Sequence, residues 1–154
     1  MTCRNVFFSI AAILMLYTTS HADVMLRDTQ GISTSFSSLK GKWVVINYWA
    51  SWCPTCMDEI PEFNRFFQKH QHDKVALFGV NYDALPLTQQ NKLIKQFKIA
   101  YPSLLSDPSE QLELGDIRAI PATFIFNPQG KLVAKLFGGQ SAESLDKAIE
   151  KNKN

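Results

Sequence analysis

Residues 43–61 read Trp43-Val44-Val45-Ile46-Asn47-Tyr48-Trp49-Ala50-Ser51-Trp52-Cys53-Pro54-Thr55-Cys56-Met57-Asp58-Glu59-Ile60-Pro61. The run from Trp43 to Ala50 is almost continuously apolar and rich in β-branched and aromatic side chains. It predicts a central strand buried on both faces. Past the cysteines, Ile60, Phe63, Phe66 and Phe67 recur at helical spacing, while Glu59, Glu62, Arg65 and Lys69 fall to the other side. That predicts an amphipathic helix whose phenylalanines pack into the core. Cys53 and Cys56 sit at the junction of strand and helix.

Three uses of the pair compete. A closed zinc site takes about four Cys or His ligands. Beyond residue 22 the chain offers Cys53, Cys56, and His70 and His72 at what the pattern makes the exposed end of the helix. A copper site of two thiolates and one histidine is the least weak metal version. A purely structural bridge gains little from so short a loop, because a cross-link constrains the unfolded chain more when the loop is long. A redox couple fits the junction best. At a helix N-terminus, free N–H groups and the helix dipole favour a thiolate on Cys53. Pro54 suits the first turn, having no N–H to lose and a preset φ. Cys56 lies one turn on, less exposed, placed to attack a mixed disulfide on Cys53.

Outward from this centre, strands and helices alternate. Val75 to Tyr82 predicts a second buried strand, and Leu87 to Phe97 a helix with Leu93, Ile94 and Phe97 inward. Residues 102–106 predict a short extended piece, and 109–114 one or two helical turns. Ala122 to Phe126 and Lys131 to Phe137 predict a hairpin around Asn127-Pro128-Gln129-Gly130. Gly138-Gly139 breaks the chain, and Ser141 caps a last helix with Leu145, Ala148 and Ile149 as its apolar stripe. Upstream, Val24-Met25-Leu26 and Ile32-Ser33-Thr34 predict two short strands, followed by a turn at 37–42. The Lys-rich end, Glu150 to Asn154, reads as a frayed tail. The alternation implies a parallel portion and the late hairpin adds antiparallel edges, giving an α/β domain with a mixed sheet covered by helices.

With 154 residues, 45% of them apolar and 19% charged, the chain can bury one proper core and hardly two. A net charge of +2 with scattered basic residues gives no case for nucleic acid or an anionic membrane surface. Residues 1–22 stand apart: Arg4, an uncharged and mostly apolar run from Val6 to Tyr17, then Ser20-His21-Ala22 with small residues at its ends. That order predicts a secretory signal cleaved after Ala22, or an uncleaved N-terminal anchor, with the domain of residues 23–154 outside the cytosol. Cys3 falls in the leader, so the mature domain holds Cys53 and Cys56 in a compartment that lets a disulfide form between them.

The run from Trp49 to Cys56, with Glu59 and Pro61, resembles the thioredoxin-like proteins of the bacterial envelope: the TlpA/ResA group and the cytochrome c maturation thioredoxin called CcmG or DsbE. Gly41 to Ala50 resembles the strand leading in, and Ile120-Pro121-Ala122-Thr123-Phe124 resembles the family's cis-proline loop and following strand. The resemblance implies a thioredoxin fold, an extra strand and helix between Asp83 and Ile117, and a cis Pro121 packed against the cysteines. It also implies that Ile120 offers its backbone to an incoming peptide in a strand-like pairing. Read without the family, Pro121 is an ordinary trans turn before a strand. The simplest thioredoxins carry a buried Asp where this chain has Asn47. The TlpA/ResA group instead places a Glu three residues after the second Cys, here Glu59. One turn past Cys56, that carboxylate is implied to have a raised pKa and to accept the Cys56 proton. The alternative is a solvated Glu favoured by the helix dipole. Trp52, Pro54, Thr55 and Ile120 make up the implied client-binding surface, with Trp49 and Tyr48 lining or underlying it. Trp52 either packs on a client peptide or shields the disulfide.

The family implies an envelope thiol–disulfide oxidoreductase that needs no cofactor and no metal. Pro54-Thr55 brings no charge between the cysteines, and neither the inserted helical domain of DsbA nor a dimerisation extension is expected. The expectation is a monomeric disulfide reductase acting on disulfide-containing envelope clients and recharged by a DsbD/CcdA-type membrane donor. Cys-Pro-Thr-Cys and Gly79-Val80-Asn81-Tyr82 resemble the cytochrome c maturation member, whose client is an apocytochrome c disulfide. That member usually carries Gly-Ala-Pro-Glu at its cis-proline, where this chain has Ala119-Ile120-Pro121-Ala122, so general TlpA-like reduction is the broader expectation. The Thr-x-x-Cys signature of peroxiredoxins is absent, since Thr55 directly precedes Cys56. From a different class, the alternative is a copper-handling protein that uses the same thiols as ligands.

Overall fold

A computed structural model describes residues 23–72 and 74–153. The expected leader, residues 1–22, lies outside the described residues. Met25–Arg27 (β1) and Ser33–Ser35 (β2) pair as a small antiparallel hairpin. Trp43–Trp49 (β3), Val75–Asn81 (β4), Ser103–Leu104 (β5), Ala122–Phe126 (β6) and Leu132–Phe137 (β7) form one sheet in the order β5-β4-β3-β6-β7. β3 runs parallel to β4, with Trp43 opposite Val75, and antiparallel to β6, with Tyr48 opposite Ala122. The helices are Pro54–His70 (α1), Leu87–Gln96 (α2) and Ala142–Lys151 (α3). The expected mixed α/β sheet is therefore present, and the strand read first is its centre.

Every residue of β3 is buried, which is why its sequence lacks alternation. Val45 and Trp49 join Ile60, Phe63 and Phe66 of α1 and Leu145 and Ile149 of α3 in one core cluster. Val44, Ile46 and Tyr48 point the other way, toward Leu26, Phe78, Leu104, Phe124 and Phe126. Each such side chain contributes roughly 1.5–3 kcal/mol when fully buried, so the end of β3 is a fixed point from which the cysteines hang.

Three local expectations are corrected. Residues 109–114, expected as one or two helical turns, close a single hydrogen-bonded turn and go no further. Leu112 N–H donates to Pro108 O and Leu114 N–H to Ser109 O, and Glu113 at φ 52° closes the coil at once. The expected tail from Glu150 begins later, because α3 runs through Lys151 and Asn152 donates its side-chain amide to Ala148 O at 2.8 Å. His70 is half-buried: α3 packs over that end of α1, so the ring lies 2.7 Å from Asp146 Oδ1 and 4.6 Å from the Phe66 ring. Among the described residues, no helix is long and apolar enough to cross a membrane.

Candidate active site

β3 stops at Trp49, and the end of β4 holds the turn that follows. Tyr82 N–H donates to Trp49 O at 2.8 Å, and Ser51 N–H to Asp83 Oδ2 at 2.8 Å. Burial opposes the Asp83 charge, but hydrogen bonds from Ser51, Asn81 and Trp52 outweigh it and hold the carboxyl below the usual range. Cys53 then caps α1 with extended backbone, and Pro54 opens the helix. Cys53 and Cys56 form a disulfide with S–S 2.12 Å and Cα–Cα 5.3 Å. The Cys56 N–H donates to Cys53 Sγ at 3.2 Å, so the sulfur sits on a helix N-terminal donor, where a thiolate is favoured once the bond is reduced. Cys53 is 6% exposed and Cys56 fully buried.

Glu59 departs from its place on the helical wheel. The apolar stripe assigns it to the solvent side, yet it is 3% exposed. Three residues after Cys56 and four before Phe63, it shares their face of α1. Its Oε1 accepts from Asn47 Nδ2 at 2.8 Å and its Oε2 from Gln140 N–H at 3.0 Å. Burial pushes its carboxyl up to about 7, against the downward pull of those two donors. Asn47 Nδ2 also reaches Thr123 Oγ1 at 3.4 Å, and Tyr101 OH reaches Asn47 Oδ1 at 3.5 Å. Burial, with the nearby Glu59 charge, raises the Tyr101 phenol and keeps it protonated.

The Ile120–Pro121 peptide is cis, and Ile120 packs against the core cluster that contains Cys53 and Cys56. Pro121 is buried, Ile120 half-buried, and Pro54 and Thr55 are exposed. Pro121 O accepts from Gly138 N–H at 2.9 Å. Trp52, next to Cys53 in the chain, is 66% exposed, and Phe137, opposite Ala122 at the end of β7, is 56% exposed. Three further residues shape the site, and the sequence marks them unequally. Asn47 stands out as the one amide in an apolar strand. Asp83 carries no signal until the end of β4 is seen against the Cys53 turn. Gln140 acts through a backbone N–H that any residue but proline supplies. Among the described residues, no group of three or more His, Cys, Asp or Glu side chains is placed to hold a metal. What the arrangement offers is a dithiol at a helix N-terminus beside a buried carboxylate and a cis-proline edge, the parts needed for disulfide exchange.

Residues 18–135 match the AhpC/TSA family. The thiol-disulfide oxidoreductase ResA of Bacillus subtilis is 31% identical over 121 residues, covering 79% of this chain and 66% of that protein. The sporulation thiol-disulfide oxidoreductase A of Bacillus subtilis is 33% identical over 113 residues, 72% of this chain and 68% of that protein. The crystal structure of StoA from Bacillus subtilis superposes with a TM-score of 0.69 at 29% identity, over 83% of this chain and 96% of that one.

Proposed function

This chain belongs to the AhpC/TSA family and is a thiol–disulfide oxidoreductase of the TlpA/ResA/DsbE type with a thioredoxin fold, and on that premise we propose that it works as a disulfide reductase outside the cytosol. The observation that carries the reading is the Cys53–Cys56 pair at the N-terminus of α1, with the Glu59 carboxylate buried one turn beyond it.

In the reduced protein the Cys53 thiolate attacks one sulfur of a client disulfide. The client S–S bond breaks, a mixed disulfide forms on Cys53, and the first client sulfur leaves as a thiolate. Glu59 takes the proton of the Cys56 thiol, and the Cys56 thiolate attacks Cys53 Sγ. The bond from Cys53 to the client breaks and the second client thiolate departs. Two electrons pass from the protein dithiol to the client disulfide, and the Cys53–Cys56 bond remains. Trp52, Pro54, Thr55 and Ile120 form the surface on which the client lies, with Pro121 leaving the Ile120 backbone free to pair with it.

The reductive direction is supported by what flanks the pair. Pro54-Thr55 adds no positive charge, and a carboxylate lies one turn past Cys56. Neither stabilises a second thiolate, and a poorly stabilised reduced pair gives its electrons away. A membrane dithiol donor of the DsbD/CcdA type recharges it, and the leader pattern of residues 1–22 supports work in the envelope. Cytochrome c maturation, with an apocytochrome c disulfide as client, is the narrower version. The test is the reduction potential of the couple, measured by equilibration with glutathione. A value at or below roughly −220 mV is expected; one between roughly −120 and −180 mV would place the protein among oxidases and isomerases and end the reductive reading.

A further inference from the structure

Glu59 is gripped from two sides, and the two grips differ. Asn47 belongs to β3, is fully buried, and lies in register between Gly79 of β4 and Thr123 of β6, so its amide cannot follow the carboxylate. The other donor is the Gln140 backbone N–H, in the turn between β7 and α3. Gly138 and Gly139 precede it, both exposed, with Gly138 at φ 85°. That turn is tied to the dithiol in other places too. Gly138 N–H donates to Pro121 O, and a side-chain carbon on Gly139 would lie 3.0 Å from Thr55 Cγ2. The Gln140 side chain steadies the turn, donating to Gly138 O at 3.0 Å and accepting from Ser144 Oγ at 3.0 Å. One short segment therefore touches the cis-proline loop, a residue between the cysteines, and the buried carboxylate.

We propose that Gln140 is a positioning residue of the exchange reaction: its backbone N–H, delivered by the Gly138-Gly139 turn, holds the Glu59 carboxylate ionised and in place, and is released when Glu59 takes a proton. The proposal rests on the reading of Glu59 as proton acceptor for Cys56. An ionised carboxylate accepts strongly from both donors. A protonated one has turned one acceptor into a donor, and of its two partners only the diglycine turn can withdraw. The titratable groups around Glu59 are Tyr101, which stays protonated, the cysteine pair one turn back on α1, and Glu62 one turn on, whose Oε2 accepts from Ala142 N–H at 3.1 Å. The turn would then loosen around Thr55 and Pro121 at the moment the Cys53–Cys56 bond forms and the client must leave.

The experiment has two arms. In oxidised wild-type protein, the Gln140 amide proton shift and the Glu59 carboxyl carbon shift should titrate together by NMR, with a midpoint near 7. In Gln140→Pro, which lacks the N–H, the Glu59 midpoint should rise by about one pH unit. The acid limb of the rate at which Cys56 resolves a small-thiol mixed disulfide on Cys53 should rise with it. A Gln140 amide that ignores Glu59, or a Glu59 midpoint indifferent to loss of the N–H, overturns the proposal. The wild-type arm decides even where Gln140→Pro does not fold. A midpoint that moves while the rate profile stays fixed upholds the Gln140 coupling and overturns instead the proton-acceptor role of Glu59, so the two failures are told apart.

Discussion

Asn47 and Glu59 divide between them a task that a single acid could attempt alone. A carboxylate in the core is opposed by desolvation, and each N–H donor returns part of that cost. Asn47 supplies a donor without adding a second titratable group, so Glu59 titrates alone, near 7. Asn47→Asp should end that independence. Two carboxyls at the present 2.8 Å separation cannot both ionise readily, so they would share a proton. NMR titration of the variant should show two apparent midpoints, one well below and one well above the wild-type value. A single midpoint still near 7 would mean that the Asn47 contact contributes nothing to the Glu59 environment.

β4 makes room for this network through a residue it lacks a side chain for. A Cβ on Gly79 would stand 2.9 Å from Tyr101 Cε2, and 3.5 Å from both Trp49 Nε1 and Ser103 Oγ. Gly79→Ala would recover about 0.5–1 kcal/mol of strand-glycine entropy but overpack a ring buried in the core, at about 1–3 kcal/mol. A net loss on the order of 1–2 kcal/mol is expected in urea unfolding of the oxidised protein. An unchanged or higher midpoint would show that Tyr101 shifts freely and that its approach to Asn47 is incidental. Much of this element layer was legible beforehand. β3, α1, the β6–β7 hairpin and the Ser141 cap of α3 each announce themselves by apolar pattern or capping chemistry. The site was legible where side-chain chemistry marks it, at Cys53, Cys56 and the amide of Asn47. It was not legible where the controlling fact is a neighbour distant in sequence. The apolar stripe sorts Glu59 to solvent, although its spacing from Cys56 and Phe63 puts it inside and the family resemblance implies a raised pKa there; α3 hides His70, and Gln140 reaches Glu59 only through its backbone N–H.

For the molecule as a whole, the same carboxyl couples stability to pH in a direction opposite to most acids. The Asp23, Asp83, Glu143 and Asp146 carboxyls are all held below their ordinary values, so what they add is present at neutral pH and lost only as pH falls through those lowered values. Glu59 works the other way, its pKa raised in the fold from 4.5 to about 7. Between those values the unfolded chain has released the proton while the folded chain still holds it. Its contribution is therefore complete below about pH 4.5 and disappears as pH rises through about 7. The loss amounts to roughly 3–3.5 kcal/mol at most. Glu59→Gln removes the titrating group, so the stability difference between wild type and variant should shift in the variant's favour by up to that amount from pH 4.5 to 8. Urea unfolding of both oxidised proteins across that range measures it. The two curves should converge or cross as Glu59 ionises; parallel curves would mean that the Glu59 carboxyl keeps its ordinary affinity for protons in the fold, and that burial beside the dithiol has not tuned it for proton transfer.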